Sequence, residues 1–295
     1  MPLHSIPALS CDCHVHVVGD TVDYPMIPER QYTAGLADLH DLHQHMSTLG
    51  LGRAVIVQPS FYGVDNRYML ACLEQMAGAG RGVAVVNEST SADALLGLHR
   101  GGVRGLRINV ESSHSKREDE VQFALKQTLM TWSDRLAPIA RLGWHVQVFS
   151  ALDLVTACAE LIESLPFELV LDHFAMIPTP SDTSAKHISA LLKLMSTGKV
   201  WVKLSAPYRP PVKNGRLEED FTRLAQLLVN TNPERIVWGS DWPHTQREVG
   251  KNRLETSAYR RIGADALLKQ IHRWLPSETL LEQVLVTNPA KLYQF

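Results

Sequence analysis

CDCHVHVV, residues 11–18, is the stretch from which the fold can be read. Valine favours strands, and apart from Asp12 and two histidines the segment is apolar. A strand that is apolar along its whole length is covered on both faces, as in a parallel sheet. Alternate strand residues share a face, so His14 and His16 point the same way. By the same parity Cys11 and Cys13 point the other way, into wall packing. Seven further runs of this kind follow: RAVIVQ (53–58), GVAVVN (82–87), VRGLRIN (103–109), WHVQVF (144–149), ELVLDH (168–173), KVWVKLS (199–205) and RIVWGSD (235–241).

Helical periodicity fills the intervals. Over 36–50, Leu36, Leu39, Leu42, Met46 and Leu49 recur at helical spacing, and Gly50 supplies a stop. Comparable patterns cover 67–80, 91–102, 154–165, 185–198, 217–230, 264–275 and 279–293. Strand and helix therefore alternate eight times, which predicts an α/β fold, a (β/α)8 TIM barrel, with residues 1–295 as a single domain. A doubly wound open sheet has the same alternation, but no strand here leads into a GxGxxG turn. The insertions 19–35, 110–135 and 206–216 read as irregular loops at the end of the barrel where catalytic loops collect.

The 295 residues carry a formal charge of −2, so no basic surface is on offer to a phosphate backbone, and nucleic acid is not an expected partner. No apolar run approaches the roughly 18 residues of a membrane span, so no membrane partner is expected either. The opening MPLHSIPALS has no secretory pattern, and the four cysteines form no CxxC pair. A reducing cytoplasm is the expected compartment. The sequence leaves a homo-oligomer open.

In a barrel, chemistry gathers at the C-terminal ends of the strands. Those ends supply His14 and His16, Gln58, Arg107, Asp172 and His173, Ser205 with Tyr208 and Arg209, and Asp241 in GSDWPH with His244 just beyond. His14, His16, His173 and Asp241 are the expected catalytic group. Asp172 precedes His173 and by parity should face away. Arg107 ends an apolar strand, where a guanidinium needs an anion, from a protein carboxylate or from a substrate. Arg107, Arg209, Gln58, Tyr208 and His244 are the expected substrate-binding residues. His40, His43 and His45 read as a solvated turn of one helix.

DCHVHV, VIVQPSFYGVDNRY, GVRGLRINV, LGWHVQV, LVLDHF, VWVKLSAPYR, VWGSDWPH and VTNPAKLY, in this order along the whole chain, resemble the amidohydrolase superfamily. The match is nearest to its 2-pyrone-4,6-dicarboxylate lactonase branch, which also holds galactarolactone isomerase and sulfomuconolactone hydrolase. The resemblance implies a distorted barrel of the amidohydrolase type. It implies a small anionic lactone or hydroxy acid as substrate, Asp241 as the base that activates water, and His14, His16 and His173 as the groups that polarise the carbonyl. The carboxylate-binding arginines map onto Arg107 and Arg209. Two further arginines are absent: Ser113 and Met176 stand in their places. Half of the anion clamp is therefore missing, which favours a less charged lactone than the pyrone dicarboxylate.

The same residues leave the cofactor open. His14, His16, His173 and Asp241 are a valid donor set for one zinc, which lowers the pKa of bound water to about 7. A two-metal site bridged by a carboxylated lysine is not expected, since strand four offers Arg107 and Lys203 lies inside strand seven. The resemblance to the pyrone lactonase, which needs no divalent ion, favours no metal. Alternatives to hydrolysis are lactone isomerisation, zinc-dependent decarboxylation, and a barrel that senses a small ligand without turnover.

Overall fold

All eight apolar runs form strands. They are β1 Cys11–Val15, β2 Arg53–Val57, β3 Gly80–Ala84, β4 Val103–Asn109, β5 His145–Phe149, β6 Leu169–Leu171, β7 Val200–Leu204 and β8 Ile236–Trp238. In the computed structural model they follow chain order in one eight-stranded sheet, a (β/α)8 TIM barrel. The structure describes residues 5–109, 118–136, 142–177, 185–209 and 217–295.

The chain packs as two compact units. One is Met1–Arg104 with Trp238–Phe295, and the other is Gly105–Val237. In the first, β1 pairs parallel with β2, and β2 with β3. Helix α1 (Leu39–Leu49) lays Leu39, Leu42, Met46 and Leu49 inward. It starts at residue 39 and not at 36, because Asp38 caps it: the Asp38 carboxylate accepts the Asp41 N–H at 3.0 Å, and Asp41 accepts the Asp38 N–H at 3.2 Å. Leu36 is left outside and exposed. Helices α2 (Arg67–Gln75) and α3 (Ala92–Arg100) follow β2 and β3.

The expected irregular insertion 19–35 is packed: Tyr24, Met26 and Tyr32 lie against a cluster of Val18, Ala34, Phe61 and Tyr62. Its end, Thr33–Ala34, pairs parallel with Thr256–Ser257.

In the second unit β4, β5, β6 and β7 pair in parallel succession. Residues 110–135, expected to be irregular, include most of a 19-residue helix, α4 (Glu118–Leu136), which buries Leu125, Leu129, Trp132 and Leu136. Residues 110–117, with Ser113, and 210–216 lie outside the described residues. The pattern over 154–165 becomes two short helices, α5 (Leu152–Thr156) and α6 (Ala159–Ser164). Helices α7 (Ala185–Ser196) and α8 (Leu217–Thr231) match expectation.

After β8 the first unit resumes with α9 (Ala264–Trp274). The helix expected over 279–293 is divided into α10 (Glu278–Glu282), a π turn at Gln283–Thr287 and α11 (Asn288–Tyr293). Pro289 is the cause: it lacks an N–H and its ring crowds the carbonyl four residues back, so the turn before it widens. Among the described residues no helix is long and apolar enough to cross a membrane.

Candidate active site

In the first unit β1 ends beside the loop that leaves β8. The Asp241 N–H donates to the His14 carbonyl at 2.9 Å, and the His16 N–H donates to the Trp242 carbonyl at 2.8 Å. Residue 239 must be glycine for this approach: a Cβ there would stand 2.6 Å from His14 Cβ. Asp241 takes a left-handed conformation (φ 65°), which aspartate tolerates better than most residues. The result brings three expected residues together. His14 Nε2 and His16 Nε2 lie 3.7 and 3.6 Å from Asp241 Oδ1, all three side chains buried.

His16 Nδ1 meets the Val57 carbonyl at 2.7 Å, so this nitrogen carries the proton and Nε2 faces the carboxylate. The two imidazoles are edge-to-face, with centroids 5.0 Å apart. Among the described residues His14, His16 and Asp241 can hold a metal ion. Ligand atoms bound at about 2.05 Å in a tetrahedron stand about 3.4 Å apart. The observed separations are close to that, so the residues fit zinc.

Two other expected residues of this unit, and Tyr62 near them, have different settings. His244 is buried; its N–H donates to the Asp241 carbonyl at 2.7 Å, and its side chain lines a cavity of about 490 Å³ with His45, Trp242 and Arg260. Gln58 ties its own loop, donating from Nε2 to the carbonyls of Asp65 (2.8 Å) and Gly63 (3.3 Å), so this amide N–H is not presented to a ligand. Tyr62 Oη accepts the Gly19 N–H at 3.0 Å, and burial pushes its phenol up to about 12.

The second unit carries His173, Arg107, Tyr208 and Arg209. His173 is buried and its Nδ1 bonds Ser205 Oγ at 2.8 Å. It opens a turn in which His173, Phe174, Ala175 and Met176 all have φ near +50°. Each such non-glycine residue costs about 1–2 kcal/mol. Burial of Phe174, whose ring meets Phe221 at 4.9 Å, offsets part of this. Met176 lies in this turn, half-buried. Tyr208 and Arg209 follow β7 and are half-buried, with the Arg209 N–H donating to the Ala206 carbonyl.

Asp172 departs from expectation. Parity holds only inside a strand, and β6 ends at Leu171. The Asp172 carboxylate is buried and draws in Arg107 Nη2 at 3.3 Å, Lys203 Nζ at 3.4 Å and Gln147 Nε2 at 3.0 Å. Arg107 thus has a protein carboxylate, and its guanidinium also lies over the Phe149 ring at 5.5 Å. Phe149 in turn meets His173 edge-on at 5.6 Å. His145, beside Gly105, is wholly buried, and burial followed by the Lys203 charge lowers its pKa to about 3.

Sequence reasoning missed Lys203, Gln147 and Asp172 as a buried network. Its signal was present: a lysine and a glutamine inside otherwise apolar strands must be paired. His45 was also misread. His40 and His43 are exposed, but His45 lies three residues after Leu42 on the inward stripe, and its Nε2 meets Asp12 Oδ2 at 3.2 Å.

A barrel with histidines and an aspartate at its strand ends defines a class of hydrolytic enzyme, and the comparisons agree. A family model described as amidohydrolase matches residues 11–295. The 2-pyrone-4,6-dicarboxylate hydrolase of Comamonas testosteroni is 35% identical, over 99% of this chain and 92% of its own. The 4-sulfomuconolactone hydrolase of Hydrogenophaga intermedia is 27% identical, over 98% of this chain and 89% of its own. A solved structure from Pseudomonas putida, proposed to be a 2-pyrone-4,6-dicarboxylic acid hydrolase, superposes with a TM-score of 0.80 at 27% identity over 98% of both chains. This chain belongs to the amidohydrolase family and is an enzyme.

Proposed function

We propose that this enzyme opens, and in reverse closes, the ester ring of a small anionic lactone, and that residues 1–295 work as one domain. The observation that carries the reading is the buried Asp241 carboxylate with two imidazole nitrogens 3.6 and 3.7 Å from it. A carboxylate held there can take a proton from water as the water oxygen attacks the lactone carbonyl. His14, His16 and His173 stabilise the charge that develops on the carbonyl oxygen. Collapse of the adduct breaks the ring C–O bond, and the proton held by Asp241 passes to the departing oxygen. Arg107 and Arg209 bind the substrate carboxylate, with Tyr208 and His244 as further polar contacts. Gln58 acts through the loop it ties. Met176 and Ser113, where the family resemblance implies arginine, favour a lactone with fewer carboxylates than the pyrone dicarboxylate. The lactone-hydrolase relatives support the substrate class, and with it we propose a catabolic role in the cytoplasm.

The favoured reaction uses no metal. A second reading has its own support, because His16 gives Nδ1–H to a backbone carbonyl, the arrangement that commonly orients a metal-bound histidine. His14, His16 and Asp241, with His173 as the remaining donor, would hold the zinc, which supplies an acidified water and a Lewis acid for the carbonyl.

The test is hydrolysis of a lactone panel, 2-pyrone-4,6-dicarboxylate included, followed by proton release on protein of assayed metal content before and after chelation. Turnover that survives chelation supports the metal-free reaction; turnover lost and restored by zinc supports the second reading. A product isomeric with the lactone, without net proton release, would mark an isomerase, and carbon dioxide release a decarboxylase. Asp241→Asn is expected to lower kcat at least about 1000-fold with the fold intact. An active Asp241→Asn variant would remove Asp241 as the base.

A further inference from the structure

Asp12 is wholly buried, two residues before the first histidine of the pair. Its Oδ1 accepts two backbone N–H groups, from His14 at 3.2 Å and from Ser240 at 2.9 Å. One carboxylate oxygen thus ties the backbone at His14 to the residue immediately before Asp241. Its Oδ2 faces His45 Nε2 at 3.2 Å. The carboxylate only accepts, so His45 Nε2 donates.

The His45 ring also stacks on Trp242, with centroids 5.6 Å apart and planes at 28°. Trp242 closes the ring of interactions: its N–H donates to Ser240 Oγ at 2.9 Å, and its carbonyl accepts the His16 N–H at 2.8 Å. Residues on both sides of Asp241 are therefore fixed by a single pair, Asp12 below and His45 behind, and Asp241 between them keeps its left-handed backbone.

We propose that Asp12 and His45 are positioning residues for the reaction: they hold Asp241 in register with His14 and His16 without touching the substrate. His45 acts through Asp12 and Trp242. Placement matters steeply, since displacement of a reacting group by about 1 Å can cost about 100-fold in rate. The inference rests on the lactone-hydrolase reading for its kinetic test.

The structure also supplies the means of testing it. His45 lines the cavity of about 490 Å³ bounded by Gln44, Trp242 and His244, so truncation of His45 leaves a space that free imidazole can reach. His45→Ala is expected to lower kcat by about 10- to 100-fold with KM within about threefold. Imidazole added at millimolar concentration should restore part of kcat in His45→Ala and change nothing in the wild type. His45→Gln, which keeps an N–H donor, should retain more activity than His45→Ala, and Asp12→Asn should lower kcat in the same way. His43→Ala, on the exposed side of the same helix, is the control and should match the wild type.

A His45→Ala variant with unchanged kcat, or one whose loss imidazole leaves untouched while His45→Gln is equally impaired, would overturn the proposal. A wild type inactive on every lactone would instead overturn the functional reading. Positioning is then read from ring nitrogen shifts of histidine-labelled protein: His14 and His16 signals should move in His45→Ala and stay in His43→Ala. Unmoved signals in His45→Ala would sink it.

Discussion

At the scale of single residues, the chemistry is set by which polar groups the chain agrees to bury. Asp241, His14 and His16 were legible because their residue types and spacing are rare in apolar strands, and the backbone bonds between residues 14–16 and 241–242 put them together. Arg107 was legible only in part: the need for an anion could be read, but not that Asp172 supplies one at 3.3 Å, because that depends on where β6 stops. The two roles separate experimentally. Arg107→Met is expected to raise KM for an anionic lactone by at least about 10-fold, the scale of one lost charge-assisted bond, with kcat changed far less. Steady-state kinetics beside a urea melt decide it. An unchanged KM with a stability loss of about 3 kcal/mol would make Arg107 a structural partner of Asp172 alone.

At the scale of elements, every strand was legible in place, since runs covered on both faces are mostly apolar, but the ends differ by up to three residues, as in 82–87 against Gly80–Ala84 and 235–241 against Ile236–Trp238. Helix ends were less so. Periodicity carried α1 back to Leu36, but the capping box at Asp38 and Asp41 sets the start three residues later. Asp38→Ala removes one partner of that box and is expected to cost about 1 kcal/mol, read as a lower urea midpoint with an unchanged slope. No change in midpoint would mean that inward packing of Leu39, Leu42, Met46 and Leu49 alone sets where the helix begins. The 118–136 helix was missed because its apolar residues do not keep to one stripe, with Phe123 and Met130 facing out while Leu125, Leu129, Trp132 and Leu136 face in, and the left-handed turn at His173–Met176 because nothing in HFAM carries a glycine to announce it.

At the scale of the whole molecule, folding must accommodate a buried polar network among β4, β5, β6 and β7, and this network makes stability depend on pH. His145 is the clearest lever. Burial, then the Lys203 charge, lowers its pKa to about 3 in the folded protein, against about 6.5 when unfolded. As pH falls below 6.5 the unfolded chain binds a proton that the folded chain refuses, so folding loses stability progressively down to about pH 3. By pH 5 the difference amounts to about 2 kcal/mol, from roughly 1.5 pH units at 1.36 kcal/mol each. His145→Asn removes the titration while keeping a polar group beside Gln147 and Lys203. It is expected to be less stable than the wild type at pH 7, because the imidazole packing is lost, but to lose less on acidification. Urea unfolding of both proteins at pH 7 and pH 5 gives four free energies whose double difference isolates the His145 contribution. A double difference near zero would mean that the imidazole takes up its proton in the folded protein, with Asp172 outweighing Lys203 and burial in the balance of charge around it.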